Sequence, residues 1–167
     1  TFLKDVLSRI HLGLHKTEEE YYQAIAKTFL VSCDNAHAMH PNHPEKTDVV
    51  NCTRMNEGVV IKESANQKYT TDAFSRALFT QICHNAHVPV QSFANRSDSQ
   101  GGSTLGNLSN TQVSIHAVDI GLPQLAMHSS FETAGIKDTA YAIEALKTFY
   151  CTNVQIEEAD SICLQGL

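Results

Sequence analysis

Short apolar runs of strand length alternate along this chain with segments whose apolar residues recur at helical spacing. Phe29-Leu30-Val31-Ser32-Cys33 is one such run and stops at Asp34; Gly58-Val59-Val60-Ile61-Lys62 is a second. The β-branched stretch from Val113 to Ile120 predicts a third strand, and Pro89 to Ala94 reads as extended. Phe2, Leu3, Val6, Leu7, Ile10 and Leu14 predict an amphipathic helix over 2–12, with Gly13 near its end. Thr17-Glu18-Glu19-Glu20 fits a capping box, in which the hydroxyl satisfies an early N–H while Glu20 reaches back; a helix should run to about Lys27. Phe74, Ala77, Leu78 and Ile82 predict a helix ending near Asn85, capped by Thr70 or Thr71. Ala140, Ile143, Leu146, Lys147 and Tyr150 predict a last helix at 137–151, and residues 41–57 a long loop. Strands alternating with helices make a layered α/β domain. Ligand chemistry in such folds gathers beyond the carboxyl ends of strands, where Asp34, Lys62 and the loop after Ile120 are expected.

At 167 residues the chain fits one domain with a sizeable core. A net charge of −6 argues against a nucleic-acid partner, whose protein surface would be basic. No apolar run approaches the roughly 20 residues that span a bilayer, so no membrane partner is expected. No basic segment followed by an apolar one opens the chain, so no signal peptide is expected either. The five cysteines are odd in number and form no CxxC pair. They read as reduced thiols of a cytoplasmic protein, and the sequons at Asn51, Asn95 and Asn107 as chance matches. The opening Thr1-Phe2-Leu3 reads as a processed product, a fragment or a trimmed chain.

Four constellations carry chemistry. Asp34-x-x-His37-x-x-His40, followed by Pro41, offers a carboxylate and imidazoles suited to zinc. Proline disfavours helical geometry at His40, so the three need not point together, and a surface loop that happens to hold histidines is the plainer alternative. His128 follows a strand and a Gly121-Leu122-Pro123 turn, in a place where a lone histidine is more often structural than a ligand. Arg96 to Gly106 is rich in Gly and Ser. It is not a P-loop, a G-x-G-x-x-G loop or a G-x-S-x-G elbow, and by itself reads as a flexible turn sooner than as an anion-approaching backbone. Lys62, near Tyr69, could receive an acidic group or simply snorkel.

Taken in order, Ser32-Cys33-Asp34-Asn35-Ala36-His37-Ala38-Met39-His40-Pro41-Asn42, Ile61-Lys62 to Tyr69, Arg96 to Gly106 and Gly121 to His128 resemble the aspartyl aminopeptidases, the M18 family of dinuclear zinc metallopeptidases. The resemblance spans nearly the whole chain. It implies a three-layer α/β/α zinc-exopeptidase-like domain, of which this is the carboxyl-terminal part with a mixed sheet. It further implies two divalent ions, zinc by the family's habit, with Asp34 a ligand to one and His128 to the other. His37, Lys62 and Tyr69 would meet the substrate, His40 would stand behind the ligands, and the Gly-rich loop would shape the site through its backbone.

The family's His-x-Asp block, bridging aspartate and Glu-Glu pair come earlier in its chains, as does an inserted dimerisation domain. None is found here, so no catalytic residue is assigned in this chain and the general-base glutamate is expected upstream. The implied activity of the complete protein is release of an N-terminal Asp or Glu from peptides, in a large homo-oligomer; this chain alone is expected to be inactive. The alternatives are a non-catalytic α/β scaffold or interaction module derived from a peptidase, and a related zinc aminopeptidase with neutral-residue preference.

Overall fold

The computed structural model of the protein describes residues 1–158 and 161–166. In chain order the helices are α1 (Phe2–Gly13), α2 (Glu18–Ala26), α3 (Ala73–Asn85), α4 (Leu105–Asn110) and α5 (Ile136–Cys151). The strands are β1 (Phe29–Cys33), β2 (Ala36–His37), β3 (Val59–Lys62), β4 (Val90–Phe93), β5 (His116–Gly121), β6 (Pro123–Leu125), β7 (Thr133–Ala134), β8 (Asn153–Glu158) and β9 (Ser161–Gln165).

The central sheet has the order β1-β5-β3-β4. β1 runs parallel to β5 and β3 parallel to β4, but β3 is antiparallel to β5, so the sheet is mixed as expected. Alternate side chains go to opposite faces of a strand. Val59, Ile61, Val118 and Ile120 therefore pack on one face with Phe79 and Cys83 of α3 and Ala145 of α5. Fully burying a side chain such as Phe79 or Ile61 is worth about 1.5–3 kcal/mol, which makes this layer the main anchor of the sheet. The other face carries Leu30 against Leu3 and Leu7 of α1, Tyr21 and Ile25 of α2, and Val113 and Ile115. With α4 against β1 and β5, helices cover both faces and the domain is a three-layer α/β/α sandwich.

Several sequence expectations are corrected. The capping box at Thr17 forms as predicted, with Glu20 bonding back to the Thr17 N–H at 2.8 Å. The cap of α3, however, is Asp72, whose carboxylate accepts the Ser75 N–H at 2.7 Å; Thr70 and Thr71 are engaged with Asp119 of β5 instead. Regular β5 starts at His116, because Val113 and Ile115 close back on the end of α4 through Ser109 and Asn110. Lys62 does end its strand, but β3 runs against β1 and β5. Its carboxyl end therefore points away from the edge where Asp34 and Gly121 emerge.

Candidate active-site cleft

Asp34 leaves the sheet directly after β1, and its N–H continues the ladder to the Ile120 carbonyl at 2.9 Å. The close passage of β5 makes this possible: a Cβ on Gly121 would lie 2.0 Å from the Asp34 carbonyl oxygen, so only glycine fits. The Asp34 side chain stays 59% exposed and opens into the cleft. Asn35 next to it donates to Gln124 Oε1 of β6 and accepts the Leu122 N–H, tying the loop down.

Lys62 is 2% exposed. Opposite Ile61 stands Ile120, so Lys62 lies level with Asp119, on the face turned away from α3 and α5. From there its stem reaches back toward the edge. Nζ donates to the Asp34 carbonyl at 2.8 Å, stands 4.0 Å from the Asp34 carboxylate, and lies 5.2 Å from the centre of the Tyr69 ring. Burial pushes the Lys62 ammonium below its ordinary pKa, and the charges of Asp34, Asp119 and Cys33 work in the opposite direction. Tyr69 is buried with Ala36, Val60 and Phe93, and its hydroxyl accepts a 3.3 Å bond from Asn95 Nδ2. Burial raises its phenol pKa.

His37 lies in β2, with its carbonyl held by the Thr53 hydroxyl at 2.6 Å. Burial, together with the nearby His128 and Lys62, lowers its imidazole pKa and favours the neutral ring. His128 sits in a turn after β6 in which both Ala126 (φ 55) and His128 (φ 66) adopt the left-handed conformation that costs non-glycine residues energy. The turn is closed by the Ser129 N–H on the Ala126 carbonyl at 3.0 Å and by Glu132, which accepts the His128 N–H at 2.6 Å. An exposed imidazole is thereby presented from a fixed backbone.

One pocket of about 180 Å³ is lined by Asp34, His37, Lys62, Tyr69 and His128, with Gly101 and Gly102 of the Gly-rich loop on its rim. The structure thus brings together five of the six residues singled out in the sequence. His40 is not among them. It is exposed, its Nδ1 accepts the Asn42 N–H at 3.2 Å, and it lines the adjoining cavity together with His37 and His43. Extended backbone at Ala36–His37, rather than a helical turn, carries His40 away from the pocket that Asp34 and His37 share. Three residues of this region escaped the sequence reading: Asn95, Glu132 and Asp119. Only Asp119 left a signal there, as a charge inside a β-branched run.

A carboxylate and an imidazole are the right donors for zinc, and the open face of the Asp34 carboxylate suits a ligand role. Among the described residues no three His, Cys, Asp or Glu side chains converge on one point, so these two fit as part of a larger donor set.

The sequence pattern of the family described as "Aminopeptidase I zinc metalloprotease (M18)" matches residues 1–150. The chain belongs to the M18 family. The probable M18 family aminopeptidase 2 of Clostridium novyi is 47% identical over 148 residues, which is 89% of this chain and 34% of the relative. The M18 chain described here therefore spans about a third of the length of the curated relatives it matches. Among solved structures, a cryo-EM structure of an Ape4 and Nbr1 complex superposes with a TM-score of 0.84 at 40% identity, over 90% of this chain and 28% of that one. The S. cerevisiae mApe1 dodecamer superposes with a TM-score of 0.69 at 25% identity, over 77% of this M18 chain and 28% of that one.

Proposed function

We propose that this chain is the carboxyl-terminal part of the catalytic domain of a metalloaminopeptidase that releases N-terminal Asp or Glu from peptides. The remaining metal ligands, the general-base glutamate and an inserted dimerisation domain would lie in the upstream part of the same protein. The observation that carries the reading is the single cleft lined by Asp34, His37, Lys62, Tyr69 and His128. Asp34 would hold one of two divalent ions and His128 the other. When bound, zinc supplies a water of lowered pKa and a polarised carbonyl. This chain's own residues do the recognition. Lys62 places a fixed cation at the floor of the cleft, which favours an acidic side chain over a neutral one. Tyr69 caps that cation with its ring, and the neutral imidazole of His37 is free to hydrogen-bond the substrate.

The chain alone is read as inactive, because Asp34 and His128 go to different ions. Free thiols at all five cysteines fit a cytoplasmic setting, and the dodecameric mApe1 supports a large homo-oligomer for the complete protein. The test uses the full-length protein. Two ions per chain by metal analysis, and aspartyl-substrate hydrolysis that Lys62→Ala reduces at least about tenfold more than leucyl hydrolysis, are expected. Absence of metal would leave a peptidase-derived scaffold, and an unchanged preference would leave an aminopeptidase of neutral specificity. In parallel, the isolated 167-residue chain given zinc, manganese or cobalt should not turn over the substrate.

A further inference from the structure

Asp119 is 0% exposed and lies at the centre of β5. Its neighbours Val118 and Ile120 face the helical core, so its own side chain goes to the opposite face, level with Ser32 of β1 and beside Lys62 of β3. A carboxylate there must be satisfied by bonds or charge, since burying it otherwise is costly. One oxygen is well provided for: Oδ2 accepts both the Thr70 N–H at 2.6 Å and the Thr70 hydroxyl at 3.0 Å. The backbone joins in, because the Asp119 N–H donates to the Thr71 hydroxyl at 2.9 Å. Two consecutive threonines that would otherwise stand ready to cap α3 are thus bound to the middle of the sheet.

The other oxygen, Oδ1, has no hydrogen-bond partner among the described residues. It faces Gly106, where an added Cβ would lie 2.9 Å from it and 2.6 Å from Ser32 Cβ. A half-satisfied buried carboxylate is held this way only if its charge is compensated nearby. The buried cation beside it is Lys62, and the residue immediately before the clamped Thr70 is Tyr69, whose ring covers that cation at 5.2 Å. One side chain is therefore in position to hold both groups assigned above to recognition of the acidic residue.

We propose that Asp119 is the positioning residue for acidic-substrate specificity: it fixes Tyr69 through Thr70 and balances the Lys62 cation, without touching substrate or metal. This inference rests on the reading of Lys62 as the acceptor of the substrate's side chain.

The test is made in the full-length enzyme with matched aspartyl and leucyl substrates. Asp119→Asn keeps the shape and an acceptor for Thr70 but removes the charge. Without that counter-charge Lys62 is drawn closer to the Asp34 carboxylate, already 4.0 Å away, and off the substrate's, so KM for the aspartyl substrate should rise about tenfold, with kcat and the leucyl kinetics changed less than about twofold. Thr70→Val removes one bond and keeps the charge; it should raise the aspartyl KM about threefold, and Thr70→Ser should restore it. A folded Asp119→Asn enzyme with unchanged substrate preference overturns the proposal, as does an equal fall in kcat for both substrates. If Asp119→Asn does not fold, an unchanged aspartyl KM in Thr70→Val overturns it instead. Lys62→Ala separates the two readings. A lost preference in Lys62→Ala with none lost in Asp119→Asn refutes the role of Asp119 alone. An unchanged preference in Lys62→Ala refutes the pocket on which it rests.

Discussion

Gly121 passes so close to Asp34 that a methyl group on its Cα would sit 2.0 Å from the Asp34 carbonyl oxygen. That carbonyl is also the acceptor for Lys62 Nζ, so one glycine sets the position of both charged groups of the cleft. Gly121→Ala must push the start of the 34–37 loop outward. The expected loss is about 1–3 kcal/mol, the usual cost of overpacking, together with weakened metal retention in the full-length protein. Urea unfolding and metal analysis check this, and a variant as stable and as metal-rich as the wild type would contradict it.

Asp138, in the first turn of α5, is fully buried and accepts the backbone N–H groups of Asn56 (2.6 Å) and Gly58 (3.0 Å). Asn56 returns the favour by accepting the Lys137 N–H at 3.0 Å. The end of the long 41–57 loop, and with it the start of β3, is thereby fastened to α5. Asp138→Ala orphans two donors and removes a favourable charge at a helix N-terminus, so about 2–4 kcal/mol should be lost. Asp138→Asn keeps one acceptor and should lose less. Equal stability of wild type and Asp138→Ala in urea would show that the loop is held elsewhere.

The Cys83 thiol is buried between α3 and the sheet, and burial pushes its pKa up to about 12. Its folded pKa lies above the ordinary value of 9.0, so the neutral thiol is the form the fold favours. This contribution is complete below about pH 9 and is lost as pH climbs toward 12. At pH 8 the exposed Cys151 should react with a thiol reagent within minutes, while Cys83 waits for unfolding. Cys83→Ala should flatten the stability loss above pH 9. Rapid labelling of Cys83 in the folded chain would refute this account.

Most regular elements were legible: α1, α3 and α5 fall where apolar spacing placed them, β1 and β3 where short apolar runs did, and α2 where the Thr17 capping box did. Strand direction has no such signature, and the reversal of β3 against β5 could not be read from Val59-Val60-Ile61-Lys62. Strands of two or three residues are too short to show alternation, so the small sheet of β2, β6 and β7 went unpredicted. The hairpin of β8 and β9 also went unread; it lies past the 150 residues matched by the family pattern. The cleft was legible through four ordered sequence blocks rather than through spacing. His37 and His40 share a block, yet only His37 lines the same pocket as Asp34, because the block runs as a short strand at Ala36–His37 and then a loop, with no helical turn to bring its residues to one face. Asp119 could have been suspected, since a carboxylate at an inward strand position always needs an explanation.

β3 is held to β5 by two residue pairs only, Val60 with Gly121 and Ile61 with Ile120. A shift of one residue along that short seam would exchange the two faces of the strand. Ile61 would then line the cleft, and the ammonium of Lys62 would be forced among Phe79, Cys83 and Ala145. The severe cost of a charge in that layer makes the misaligned pairing self-defeating. The same lysine that gives the cleft its polarity thus also keeps its strand from settling out of step.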